Sequence, residues 1–197
     1  MIRHETVEDH LTRLASGEPT PGGGATGALV VAQGAGLVAM AARFSGREDV
    51  AVECERVIRD GLAISDEDEQ GFAAVADAYA LPKGGDAARA RRSAAVQAAL
   101  DQAVRPPRAI VDAVDRTVSL AERVLDDANP HVLSDVGAAL GCARAGAGAA
   151  VVTLLTNLSP LHDEQLGAEL RAEIARADGL TSRIDALAAR VRERIAR

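Results

Sequence analysis

Aromatic side chains are almost missing from this sequence: two Phe, one Tyr and no Trp among 197 residues. The core must be built from Ala, Val, Leu and Ile, with Phe44, Phe72 and Tyr79 as its only large rings, and such small side chains let helices approach closely. Cysteine is nearly as scarce. Cys54 and Cys142 stand far apart and the opening residues do not read as a secretory leader, so neither a disulfide framework nor a cysteine metal site is expected, and the expected location is cytoplasmic. His4, His10, His131 and His162 show no close paired spacing, and no metal is expected. Positive charge is in deficit, with 22 basic against 29 acidic residues and a net charge of -7. That balance opposes attraction to phosphate backbones or anionic lipid, which argues against a nucleic-acid partner. Residues 24–42 and 145–161 carry no charge, yet they are rich in Ala, Gly and Thr, and the second contains Asn157 and Pro160. Both read as helices buried in protein, not as membrane spans.

Helical periodicity is abundant, and no alternating strand pattern competes with it. Thr6 is placed to cap a short helix with Asp9 three residues on and a Val7, Leu11, Leu14 stripe that ends at Gly17. A helix apolar on nearly every side runs from Ala25 to about Phe44. The next spans about Glu48 to Tyr79, with a possible break at the acidic run 65–69, and "LPKGG" at 81–85 stops it. A fourth occupies about 86–104, and Pro106-Pro107 must break or kink the chain before Val111, Val114, Val118, Ala121 and Val124 resume the pattern. After "ANPH", a helix from His131 to about Leu158 contains Gly137, Gly141, Gly146 and Gly148, which remove bulk where another backbone could approach. The last begins at about Asp163. The expected architecture is an all-α, mainly antiparallel bundle in one domain, with no internal repeat.

Chemistry is expected at a few positions. The turn "PTPGGG" enters a helix whose first N–H groups have no intrahelical partner, so Gly22, Gly23 and Gly24 form either an anion or carbonyl cradle or an ordinary tight turn. It matches neither the phosphate-loop pattern nor the dinucleotide fingerprint. Lys83 is the only lysine beside 21 arginines. It is either a surface charge beside a turn or an amine with a recognition role, because lysine alone of the two loses its proton readily when desolvated. Asp68 sits in the acidic run and reads as a solvated helical face or as a carboxylate suited to proton transfer if desolvated. Asp135 follows Ser134 in a cap-like setting and is open to the same two readings. Asp163 reads best as the N-cap of the last helix.

Several separated motifs occur in order: "PTPGGGATGALVVAQGAGLVAMAA", "DEQGFAAVADAYALPK", "ANPHVLSDVGAAL" and "TNLSPLHD". Together, across nearly the whole chain, they resemble the cyclodeaminase/cyclohydrolase family of folate enzymes. The specific elements are Pro21 to Gly24, Asp68 with Phe72, Leu81-Pro82-Lys83, Ser134-Asp135, and Asn157 with Asp163. The sequence departs from the family pattern at Ala25, where Ser commonly follows the glycines, and at Ala128, His131 and Thr153. The resemblance implies an all-helical homodimer that binds a reduced folate at or near the subunit interface and needs no cofactor beyond that substrate. The first expected activity is hydrolysis of methenyltetrahydrofolate. The alternatives are formiminotetrahydrofolate cyclodeamination and a noncatalytic folate-binding or interaction dimer. It implies Asp135, Asp68 and Lys83 as catalytic or recognition groups, and Pro21, Gly22, Gly23, Gly24, Ser134, Asn157 and His131 as substrate contacts. Arg89, Arg91 and Arg92 read as a solvated helix face, or as charges that an acidic folate tail could use.

Overall fold

A computed structural model describes all 197 residues. Seven α-helices follow one another: α1 (Val7–Leu14), α2 (Gly23–Phe44), α3 (Glu48–Ala80), α4 (Gly85–Ala103), α5 (Arg105–Leu125), α6 (Leu133–Leu158) and α7 (Glu164–Ile195), with single 3-10 turns at Ile2–His4 and Pro130–Val132. There is no strand, and the bundle is mainly antiparallel. The boundaries have local causes. The Thr6 hydroxyl accepts from the Asp9 N–H, and the Asp163 carboxylate accepts from the Leu166 N–H at 2.9 Å, which caps α1 and α7. Gly46 turns the chain between α2 and α3 with φ +71°, a conformation that glycine adopts without strain. Pro106 and Pro107 break the chain as expected and then fall in the first turn of α5, where their missing N–H groups leave no gap.

α2 is the central helix, between α3 on one side and α6 on the other, with α5 and α7 completing the layer behind. Its residues Val31, Ala35 and Val38 are fully buried in one core with Val57 of α3, Ile110 and Val114 of α5, Leu140 of α6 and Leu170 of α7. Small residues set the close spacing. A Cβ added to Gly146 would come within 2.1 Å of the Val31 side chain, and one on Gly61 within 3.0 Å of the Ala28 carbonyl oxygen. Burial pushes the Cys54 thiol up to about 12, so it is a neutral core residue.

Four expectations are corrected. The three rings do not enter the core: Phe44, Phe72 and Tyr79 are 63%, 48% and 40% exposed. The α1 stripe does not bury itself either, because α1 packs through its polar side, with Val7 and Leu11 facing solvent. α3 runs unbroken through the acidic run, whose side chains other than Glu67 are partnered or enclosed. The second uncharged helix is buried on one face only: Gly141, Ala145, Gly148, Val152 and Leu155 of α6 are exposed.

Candidate functional site

A cleft of about 430 Å³ opens between α3 and α6 at the end of the bundle where α2 begins. Helical spacing builds both walls. Asp68, Phe72, Val75 and Tyr79 recur at intervals of four, three and four along α3, and α6 answers with Val152, Thr153, Thr156 and Asn157. Leu100 and Ala103 of α4 form the floor, and Thr20 with Gly22, Gly23 and Gly24 closes one end. Walls of this kind are apolar with a few convergent polar groups, the usual character of a small-molecule site.

The glycine turn answers to Asp68. Its Oδ2 accepts from the Ala25 N–H at 2.8 Å, and its carboxylate occupies the space a side chain on Gly24 would need: an added Cβ would lie 2.1 Å from Oδ1. Part of the predicted cradle is therefore filled by the protein's own carboxylate, at the positive end of α2. Desolvation raises the Asp68 carboxyl above the ordinary aspartate range; the Ala25 N–H lowers it and the charge of Glu69 raises it further. A carboxylate so placed is suited to exchange protons with something held in the cleft.

The backbone around Asp68 is fixed from outside. Arg13 donates to Glu69, to Glu5 at 2.8 Å and to the Thr20 carbonyl at 3.4 Å, while Arg3 pairs with the buried Asp66. The N-terminal segment is thus strapped to α3 directly behind the cleft carboxylate. Pro21, joined to Thr20 by a cis peptide, is buried behind the loop and does not line the cleft. On the opposite wall, Asn157 donates its side-chain amide to the Ala103 carbonyl at 3.1 Å, which ties α6 to the floor. The Thr153 and Thr156 hydroxyls, both on the cleft wall, donate to carbonyls one turn back and keep the capacity to accept.

Of the expected site residues, Gly22, Gly23, Gly24, Asp68 and Asn157 therefore meet in one cleft, and five do not, Pro21 and four others. Lys83 is exposed in the turn after α3 and lines an adjoining depression instead. His131, Ser134 and Asp135 lie at the far end of α6, where Asp135 stands 22 residues before Asn157, about 33 Å along the helix axis. Ser134 is not a cap, because α6 begins at Leu133. The motif there has a structural task. Asn129 donates its side-chain amide to the Phe44 carbonyl at 3.3 Å, accepts from the His131 N–H at 3.0 Å, and donates its backbone N–H to the Ser45 hydroxyl. It pins the α5–α6 connection to the end of α2.

Sequence reasoning missed Val75, Val152 and Thr156 as lining residues, and the strap formed by Arg13 and Glu69. The signal for Val75 was available, since it falls on the helical stripe that starts at Asp68. The strap had no signal, because its charges are separated by more than fifty residues. No group of three His, Cys, Asp or Glu side chains is close enough to hold a metal ion.

The fold and cleft define an all-helical protein with a carboxylate-bearing cleft between two long helices. The model of the formiminotransferase-cyclodeaminase family matches residues 6–176. A methenyltetrahydrofolate cyclohydrolase of Methylorubrum extorquens is 34% identical, over 99% of this chain and 98% of its own. The formimidoyltransferase-cyclodeaminase of Rattus norvegicus is 30% identical over 79% of this chain, which corresponds to 31% of that longer protein. The crystal structure of a formiminotetrahydrofolate cyclodeaminase from Thermotoga maritima superposes with a TM-score of 0.80, at 24% identity, covering 100% of this chain and 98% of that one. This chain belongs to the formiminotransferase-cyclodeaminase family.

Proposed function

We propose that this protein is an enzyme of folate one-carbon metabolism that hydrolyses 5,10-methenyltetrahydrofolate to 10-formyltetrahydrofolate in the cleft between α3 and α6. The observation that carries the chemistry is the enclosed Asp68 carboxylate with its raised proton affinity. The methenyl carbon between N5 and N10 bears an amidinium-like positive charge, so a water held beside Asp68 is drawn to it and gives up its proton to the carboxylate as the C–O bond forms. The C–N5 bond of the tetrahedral intermediate then breaks, N5 takes a proton, and the oxygen becomes the formyl carbonyl on N10. One proton is released to solvent overall. The chemistry requires only substrate and water. Near-complete mutual coverage with the Methylorubrum cyclohydrolase supports this reaction over its alternative.

The alternative is cyclodeamination of formiminotetrahydrofolate, favoured by the Thermotoga and rat relatives. There N10 attacks the formimino carbon and ammonia leaves after protonation, and Asp68 would serve as the proton donor. Purified protein should abolish methenyltetrahydrofolate absorbance faster than the uncatalysed rate; ammonia release from formiminotetrahydrofolate without that loss would establish the alternative.

We propose further that the working form is a homodimer. The exposed stripe Ser134, Ala138, Gly141, Ala145, Gly148, Val152 and Leu155 repeats at intervals of four and three and carries no charge. Its glycines Gly141 and Gly148 face open space. Antiparallel self-pairing of this stripe would set Ser134 and Asp135, in the first turn of α6 of one chain, beside Leu155 near the cleft of the other, bringing Asp135 and His131 toward that cleft. Ala145→Arg should yield a monomer by sedimentation. In the dimer, Asp135→Asn should depress turnover far more than thermal stability, and equal turnover would remove Asp135 from the site.

A further inference from the structure

α1 has no share in the apolar core: none of its residues is buried, and Val7 and Leu11 face solvent. Charge on its inner side holds it in place. The Arg13 side chain, 25% exposed, stands where three separate segments meet. Its Nη2 donates at 2.8 Å to Glu5, just after the opening 3-10 turn, and its Nη1 donates both to Glu69 of α3 and, at 3.4 Å, to the carbonyl of Thr20 at the end of the cleft. The cluster is imperfect as a stabilising device. The enclosed Arg13 Nε, Glu5 Oε2 and His10 Nδ1 have no hydrogen-bond partner, and each such atom costs stability.

The partners of Arg13 flank the hydrogen bond on which the cleft depends. Glu69 adjoins Asp68 on α3, while Thr20 leads through Pro21 into the glycine turn, and the Ala25 N–H beyond that turn donates to Asp68. Arg13 therefore spans from outside the gap between α3 and the head of α2 that the Asp68–Ala25 pair spans from inside. A planar guanidinium suits this task, because its donors point in fixed directions to several acceptors at once. It also holds the Glu69 carboxyl below the ordinary glutamate range and opposes the charge that Glu69 sets beside Asp68. The other surroundings of Asp68 carry little charge. α2 presents the Ala25 N–H, α6 presents Thr153, Thr156 and Asn157, α4 presents Leu100 and Ala103, and Tyr79 is the only other titratable group on the cleft wall. In the N-terminal segment Arg3 pairs with Asp66, His10 faces Glu5 at 3.8 Å, and the terminal amine acts on Glu69.

We infer that Arg13 is a positioning residue of this site: without lining the cleft, its guanidinium joins the segment before the glycine turn to α3 and so holds Asp68 against the Ala25 N–H. The inference rests on the reading of this cleft as the reaction site. It also gives the N-terminal segment a task in the chemistry, although that segment contributes no group to the cleft between Met1 and Glu18.

The test reads Asp68 directly, by NMR titration of its labelled carboxyl carbon in the substrate-free full-length protein, together with kcat and KM for methenyltetrahydrofolate. In Arg13→Gln the Asp68 midpoint should rise, since Glu69 is left unopposed and the turn bearing the Ala25 N–H is freed; simple loosening would admit water and lower it. Its kcat should fall about tenfold with KM within about twofold of the parent, because a misplaced proton acceptor affects the reacting step more than binding. Arg13→Lys returns the charge without the fork and should lie between the parent and Arg13→Gln in both readouts. Arg3→Gln, which removes the other strap, should lower Tm and leave the midpoint and kcat at parent values. An unmoved or lowered midpoint in Arg13→Gln, or equal changes in Arg3→Gln, would overturn the role. If Arg13→Gln does not fold, Arg13→Lys decides alone, and parent values there overturn it. If methenyltetrahydrofolate is not turned over, the proposed reaction fails, and the midpoints still decide whether Arg13 positions Asp68.

Discussion

The two ends of the bundle carry sequence motifs of equal prominence and use them in opposite ways. At the far end, Asn129 spends its side chain and its backbone N–H on Phe44, Ser45 and His131, closing one helix connection on another. At the cleft end, Asp68 takes a single N–H from Ala25, and Asn157 commits only its amide nitrogen, so polar capacity is left facing space. The difference is in the hydrogen-bonding groups, which remain partly unused within the chain at the cleft end and are consumed by helix connections at the far end.

The sharpest way to break this comparison is Asp68→Asn. Its kcat should fall by about 10²–10⁴-fold, the range for loss of a positioned proton acceptor, with the fold intact by circular dichroism. The raised Asp68 carboxyl also has a stability consequence. The folded state holds the proton more tightly than the unfolded chain, so ionising Asp68 opposes folding as pH rises through the folded-state value. Asp68→Asn should accordingly melt no lower than the parent at neutral pH, and a clear drop in Tm would show that Asp68 is a structural residue.

Glycine substitutions sharpen the comparison next. Gly24→Ala forces only the Asp68 carboxylate to move, so turnover should drop by about tenfold or more through misplacement of that group, with little change in Tm. Gly146→Ala drives a methyl group into Val31 and toward the Gly27 carbonyl, and should cost about 1–3 kcal/mol by denaturant titration, without a matching loss of kcat. At the far end, Asn129→Ala should cost about 1–2 kcal/mol of stability and leave kcat within about twofold of the parent.

The smallest effect is in the pH profile. Because Asp68 holds its proton above the ordinary aspartate range, kcat/KM should decline on the acid side at a higher pH than an exposed aspartate would give. Asp68→Asn should lose that limb. An unchanged profile would assign the limb to another group.

The helices were legible because each rests on local chemistry: the Thr6 and Asp163 caps, the prolines that open α5, and the stop at Leu81 all lie where the sequence places them. The burial of the three rings was not legible. Periodicity sets which residues share a face but not which neighbour that face meets, and Phe72 and Tyr79 share theirs with Asp68 on an open cleft. The acidic run was misleading for the same reason, since Asp66 and Glu69 find Arg3 and Arg13 across more than fifty residues. Asp68, the glycines and Asn157, which the family resemblance groups together, line one cleft, but motif order along a chain carries no information on which end of a helix each motif occupies. Asp135 and Asn157 share α6 and lie at opposite ends of it.

The most direct measurement is a crystal structure of the protein soaked with a reduced folate. The pterin is expected between α3 and α6, with the ring against Asp68 and the Gly22–Gly24 turn. Ligand density confined to another surface, with the space beside Asp68 holding only solvent, would contradict the assignment of this cleft as the reaction site.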